Sequence, residues 1–443
     1  MILQIIITIL HFYNIKNYII IPFETQEDKI QSLSHNSIMS TLFPNKIETK
    51  INVGTPYQEI PLRIKLLRYP ISISSKSINF YKMIKFDEEK SSTYKSIDLR
   101  PNYYGYQDFQ LAKKSKENFY LNEKITLKNL TFFLATYELD NYKESGVLGL
   151  RIPDNDYRTL DVNFIKQLKE RDLINSYYFF LRYKNEKEGE LIIGILPHQY
   201  DQIHFNENNF VEFQGTIINY SLGLLFKEAK YGNKIIDKEF ESELAIEDNF
   251  IRGNKAFQNV LFDDYFKQYF NRKICFNSSF DYVSFKKLEF YYCNKEINIS
   301  EFQNISFTIK NCELEIQFEG KDLFFENGDY YYFLIYFPNI YYSSSSFRLG
   351  KPFFKKYLIT FNQDTKMIGY YKNIIINKNN IKNIYPWIIT LICVFCMLLM
   401  GFYIFYYRPY KLRKKRANEL DDDHEYVSNK KKDNNKNYFS INE

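Results

Sequence analysis

The stretch Ile51–Ser77, INVGTPYQEIPLRIKLLRYPISISSKS, decides how the rest of the chain is read. Its first half ends a β-branched run at Gly54 and turns through Thr55-Pro56, and its second half contains no acidic residue. The same punctuation recurs outward from it. KIETKINVG, LIIGIL and YLITFN are β-branched runs of strand length, each ended by Gly, Pro or Asn. Two patches break the strand pattern: DVNFIKQLKERDLI sets Phe164, Leu168 and Leu173 near a 3.6 period, and NVLFDDYFKQYF sets Leu261, Tyr265 and Tyr269 at steps of four. Many short strands with two short helices in corresponding places predict a duplicated, all-β architecture over residues 46–371.

Composition agrees and narrows the function. With 45% hydrophobic and 19% aromatic residues in 443, the chain can bury a large core on pleated surfaces. The formal charge is +6, of which +3 (ten Lys/Arg against seven Asp/Glu) falls in Arg408–Glu443. The main body is therefore close to neutral, and no nucleic-acid partner is implied.

Two apolar segments predict the compartment. MILQIIITILHFY opens the chain like the apolar region of a secretory signal, so residues 1–22 are read as a signal peptide with an unsettled cleavage point. Trp387–Tyr407, WIITLICVFCMLLMGFYIFYY, is 21 residues without a charge. At ~1.5 Å per residue it spans a hydrocarbon core of roughly 30 Å. RPYKLRKKR follows with six Lys/Arg in nine residues, which predicts a cytoplasmic tail over 408–443 and a type I single-pass topology. A polar stalk, 372–386, joins the two parts, and the tail is predicted to be disordered. Asn129, Asn219, Asn277, Asn298 and Asn304 each begin an N-glycosylation sequon, all on the lumenal or extracellular side of that span. Cys275, Cys293 and Cys312 are left for an oxidising compartment; one disulfide is expected, with three possible pairings.

The motifs then fall in one order. NVGTPYQE resembles the entry to the N-terminal lobe of the pepsin-like aspartic peptidases. FDEEKSSTYKS resembles that family's Ser-Ser-Thr-Tyr segment, ESGVLGL its Gly-hydrophobic-hydrophobic-Gly-Leu turn, and FRLGKPFFKKYLITFNQDTKMIGYY the closing strands of its C-terminal lobe. The resemblance implies a bilobal pepsin-like fold, N-lobe about 46–205 and C-lobe about 206–371, whose interlobe cleft takes an extended peptide or protein. It implies no cofactor.

In that family each lobe supplies one Asp from an Asp-Thr/Ser-Gly triplet. Two carboxylates about 3 Å apart cannot both ionise, so they share a proton and divide the acid and base roles. Counting from Gly54, the first Asp position falls on Lys65, with Leu66 and Leu67 after it, and Ile60 to Lys85 offers no acid to replace it. In ELAIEDNFIRGN the second position falls on Asp248, with Asn249 and Phe250 in place of Thr and Gly. A Lys65–Asp248 pair would be a fixed ion pair. The flap of the family falls near PNYYGYQDF, with Tyr104 its candidate. The expectation is a membrane-anchored pseudoprotease that binds peptides or proteins. The alternatives are an active endopeptidase with an atypical site and a purely structural glycosylated surface protein.

Overall fold

The computed structural model describes residues 17–25, 35, 46–66, 71–78, 83–97, 109–138, 144–150, 160–185, 187–218, 221–282, 286–310, 312, 314–338, 347–372 and 403–413. The chain divides into two units, Met1–Ile374 and Ile375–Glu443.

In the first unit, alternating apolar residues build strand after strand. The opening half holds β1 (Ile19–Thr25), β2 (Ile47–Val53), β3 (Gln58–Lys65) and β4 (Ile71–Ser74). It continues through β5 (Lys95–Ser96), β6 (Phe109–Tyr120), β7 (Thr126–Glu138) and β8 (Gly146–Gly149), then β9 (Tyr178–Tyr183) and β10 (Glu188–Ile193). The second half runs through β11 (Phe210–Gln214), β12 (Thr216–Ile218), β13 (Ser221–Tyr231), β14 (Lys234–Leu244) and β15 (Ile251–Arg252). Then come β16 (Cys275–Tyr282), β17 (Lys286–Asn294), β18 (Ile305–Ile309), β19 (Glu315–Phe318) and β20 (Phe324–Asn327). It closes with β21 (Tyr330–Pro338), β22 (Phe347–Leu349), β23 (Thr360–Asn362) and β24 (Met367–Tyr371).

A 13-stranded sheet runs β11-β24-β23-β9-β10-β1-β2-β3-β8-β4-β7-β6-β5, and an 11-stranded sheet carries β16-β17-β21-β15-β22-β14-β13-β18-β19. Strands from the C-terminal half, β11, β23 and β24, therefore complete the sheet of the N-terminal half. Phe179 and Phe361 stack across that junction with centroids 5.0 Å apart.

The domain begins earlier than residue 46. Ile19–Thr25 pairs along β10 from Ile19↔Ile193 to Glu24↔Glu188, and its end meets β2. Ile19, Ile21 and Phe23 are buried in the core, so the sequence-based boundary at 22 falls inside a core strand. Residues 1–16 lie outside the described residues.

Both helical patches form. In α1 (Phe164–Glu170) the Asn163 side chain accepts the Lys166 N–H at 2.9 Å, an N-cap, and Phe164 and Leu168 are buried. Leu173 lies past its C-terminus. In the second patch, α2 (Lys255–Leu261), capped by Asn254, leads into a π-helical turn at Phe262–Phe266 and then α3 (Lys267–Asn271). Leu261, Tyr265 and Tyr269 all point into the core.

Among the described residues no helix is long and apolar enough to cross a membrane. Most of Trp387–Tyr407 lies outside those residues. Tyr403–Tyr407, the part that is described, forms a π-helical turn that continues helically to Arg413.

Candidate functional site

The entry motif is a structural lock. Gly54 sits at φ +86°, in the left-handed region, and a Cβ there would come within 2.8 Å of the Ser91 hydroxyl. The Gln58 amide bonds the Asp87 backbone twice, donating to its carbonyl at 2.9 Å and accepting its N–H at 2.8 Å. Ser91 accepts the Thr55 N–H at 3.0 Å and donates to the buried Glu117 at 2.7 Å, and Thr93 donates to the same carboxylate. These bonds explain why Gly-Thr-Pro-x-Gln and Ser-Ser-Thr-Tyr occur together: each satisfies polar groups the other buries.

Beyond the lock the two halves repeat one crossing. β8 lies between β3 and β4, parallel to the first and antiparallel to the second. Likewise β22 lies between β14 and β15, parallel and antiparallel in turn. The chain that leaves β3 and the chain that leaves β14 therefore start their loops in equivalent settings. The Lys65 carbonyl accepts the Leu150 N–H at 2.8 Å, and the Asp248 carbonyl accepts the Lys351 N–H at 2.7 Å. Both donors directly follow a Leu-Gly pair, Leu148-Gly149 and Leu349-Gly350.

The two loops reach these bonds differently. Lys65 is still in strand register, opposite Gly149. In the second half the register ends at Leu244↔Leu349. The chain then makes an extra turn, closed by the Asp248 N–H on the Ala245 carbonyl at 3.2 Å, before Asp248 takes up the bond. Gly350 leaves the room for this: a Cβ there would lie 2.3 Å from the Phe250 carbonyl and 2.4 Å from that of Asp248. Gln363, from the C-terminal half, donates to the Leu150 carbonyl at 2.9 Å and so ties that half to the first crossing.

The side chains at these two places are held apart by partners of their own. Lys65 Nζ lies 2.7 Å from Glu144 Oε2, and Arg63, two residues earlier on the same strand face, pairs with Glu144 Oε1. Burial opposes ionisation of the Glu144 carboxyl, but Lys65 and Arg63 outweigh it and hold it below the usual carboxylate range. Asp248 Oδ2 lies 3.2 Å from Arg348 Nη1, while Arg348 Nε and Nη2 are committed to Glu243 Oε2 at 2.8 and 2.6 Å. Burial pushes the Asp248 carboxyl up, and one guanidinium shared between two acids reverses this only in part. Burial likewise works against the charge on Arg348, yet Asp248 and Glu243 hold it more firmly protonated than usual. The Lys65–Asp248 ion pair considered from the sequence is replaced by two pairings, each within its own half.

Phe250 stands where a Gly was expected and is fully buried. It heads a second apolar cluster with Leu288, Phe290, Tyr332 and Tyr336. His35 lies against the same aromatic face, stacked on Tyr292 at 3.9 Å and bonded to the Tyr332 hydroxyl at 2.9 Å. Tyr104 lies outside the described residues.

Sequence reading did not single out Arg63, Glu144, Glu243 or Arg348. A signal was present for the last: Arg348 interrupts the apolar run FRLG, and a charge in a buried strand requires a partner. Its identity lay 105 residues away at Glu243 and 100 residues away at Asp248.

The disulfide is Cys275–Cys293, directly opposite each other on β16 and β17. Cys312 is free and half-buried, and burial pushes its thiol up. Of the sequon residues, Asn129, Asn277, Asn298 and Asn304 are exposed, and Asn219 lies outside the described residues.

Two β halves, each built around a strand that crosses between the start and end of one loop, define the aspartic-protease class of fold. A model of the eukaryotic aspartyl protease family matches residues 48–372, and the chain belongs to that family. No curated protein matches the chain.

Proposed function

We propose that this is a single-pass type I membrane protein whose aspartyl-protease-like domain faces the lumen or the cell exterior and binds a peptide or protein in its cleft without cleaving it. The observation that carries the reading is Lys65, which occupies the first catalytic position by spacing and is ion-paired to Glu144 at 2.7 Å. Water activation in this family needs two carboxyls that share one proton. An ammonium has donors and no acceptor, so it cannot share a proton with a carboxyl or take one from water, and its charge favours ionisation of a neighbouring acid, the reverse of what proton sharing requires. Asp248, whose carbonyl takes the corresponding bond in the second half, is engaged by Arg348. Anchoring is supported by the uncharged Trp387–Tyr407 and the basic residues after it.

The alternative of an active endopeptidase has one observation in its favour: burial raises the Asp248 carboxyl, as a general acid requires. The deciding experiment is incubation of the purified, folded full chain with a peptide library from pH 3 to 7, with and without a transition-state-mimicking aspartic-protease inhibitor. No cleavage is expected. Inhibitor-sensitive cleavage that Asp248→Ala abolishes would overturn the proposal.

A further inference from the structure

Among the described residues six strands pair with a single neighbour, β5, β11, β12, β16, β19 and β20, and one is unlike the others. β5, β11, β19 and β20 are 2, 5, 4 and 4 residues long and carry a charge each, at Lys95, Glu212, Glu315 and Glu326, and β12 is only 3 residues long. Short, charged edges resist pairing with another chain. β16 is 8 residues long, reads CFNSSFDY and carries its one charge at the seventh residue. Among the described residues it pairs only with β17.

Its backbone alternation follows from one bond. The Asn294 N–H donates to the Ile274 carbonyl at 2.9 Å, so the even-numbered residues face β17. Cys275, Asn277 and Ser279 then turn their N–H and C=O groups to the open edge. Phe276 is exposed beside them, and the Cys275–Cys293 disulfide pins the strand in place. By length, aromatic content and lack of Pro or Lys, this is the edge most open to intermolecular pairing. In its middle lies the sequon Asn277-Ser278-Ser279, with Asn277 exposed.

We propose that Asn277 carries an N-linked glycan and that this glycan shields the free edge of β16. The inference rests on the lumenal or extracellular placement proposed above. In the transfer, the Asn277 amide nitrogen bonds to the anomeric carbon of an oligosaccharide carried on a lipid diphosphate. The C–O bond to the diphosphate breaks, the lipid diphosphate departs and the amide releases one proton. Strands pair at ~4.8 Å, and a branched, hydrated sugar on the edge keeps a second backbone from that distance. The glycan does what Lys or Glu does at the four charged edges.

The test expresses the full chain through a eukaryotic secretory pathway and purifies it in mild detergent. Site occupancy is read by peptide mass spectrometry, and association by light scattering after size exclusion across a concentration series. Asn277 is expected to be occupied and the wild type monomeric. Asn277→Gln and Ser279→Ala should each lose one glycan and associate as concentration rises. Asn277→Lys also lacks the glycan but puts a charge on the edge, and should stay monomeric, which separates shielding from a folding defect. Occupied sequons elsewhere with Asn277 bare would overturn the inference and leave the proposed placement standing. A monomeric Asn277→Gln would overturn the shielding role. No sequon occupied at all would remove the placement, and the inference with it.

Discussion

Replacing Arg348 by Met removes the one guanidinium between Glu243 and Asp248 and leaves two acids buried at 3% and 4% exposure. The cost is bounded by protonation, because a buried carboxylate without a cation takes a proton instead of staying charged. Arg348 holds Glu243 through two contacts and Asp248 through one, so the main cost falls on Glu243. Protonating a carboxyl of ordinary pKa, about 4, costs ~4 kcal/mol at pH 7 and ~1.4 kcal/mol at pH 5. The first figure lies within the ~3–5 kcal/mol typical of a broken buried ion pair. At ~2.1 cal/mol/K per residue over the matched domain, ~4 kcal/mol lowers Tm by about 6 °C. Urea unfolding of wild type and Arg348→Met at pH 7 and pH 5 checks this. The deficit should shrink by about 2–3 kcal/mol between the two pH values, since the variant itself gains stability as it is acidified. A deficit below about 1 kcal/mol at pH 7, or one equal at both pH values, would refute the account of Arg348 as the neutralising charge.

Three further outcomes follow from the same geometry. Glu144→Gln should cost about 2–3 kcal/mol at pH 7 by denaturant unfolding. Because the Glu144 carboxyl is held low in the folded state, its stabilising contribution is present above the ordinary carboxylate pKa. It is lost as pH falls through the depressed value, so the gap between wild type and Glu144→Gln closes in acid. Gly350→Ala puts a Cβ within 2.4 Å of two backbone carbonyls; a loss of about 3 kcal/mol is expected, and a neutral result would mean that the second loop relaxes freely. Lys65→Asp should yield no cleavage from pH 3 to 7 in the peptide-library assay. The new carboxyl would face Glu144, and Asp248 would still be held by Arg348.

The match between sequence and fold was closest where a motif satisfies itself locally. Gly54 leaves room for Ser91, Gln58 bonds the Asp87 backbone, and Ser91 and Thr93 share Glu117, so their spacing carried the architecture even though none does chemistry. The capped helices were legible for the same reason: Asn163 and Asn254 sit directly before apolar residues at helical spacing. The early strand β1 was not. Its apolar run, IIIPFET, has the composition of a leader as well as of a strand, and its pairing with β10 spans about 170 positions of chain.

At the candidate site, the sequence alone determined which residue types stand at the two loop positions, since the family resemblance places Lys65 by its spacing from Gly54 and Asp248 after the apolar run ELAI. It also determined that a disulfide was available and which Cys residues could form it. Only the tertiary structure decided the pairings: Lys65 and Arg63 with Glu144, Arg348 between Glu243 and Asp248, and Cys275 with Cys293. The physical reason is range. Turn chemistry and strand period act between neighbours in the chain, whereas a buried charge is answered by whichever opposite charge the sheet crossing brings within about 3 Å.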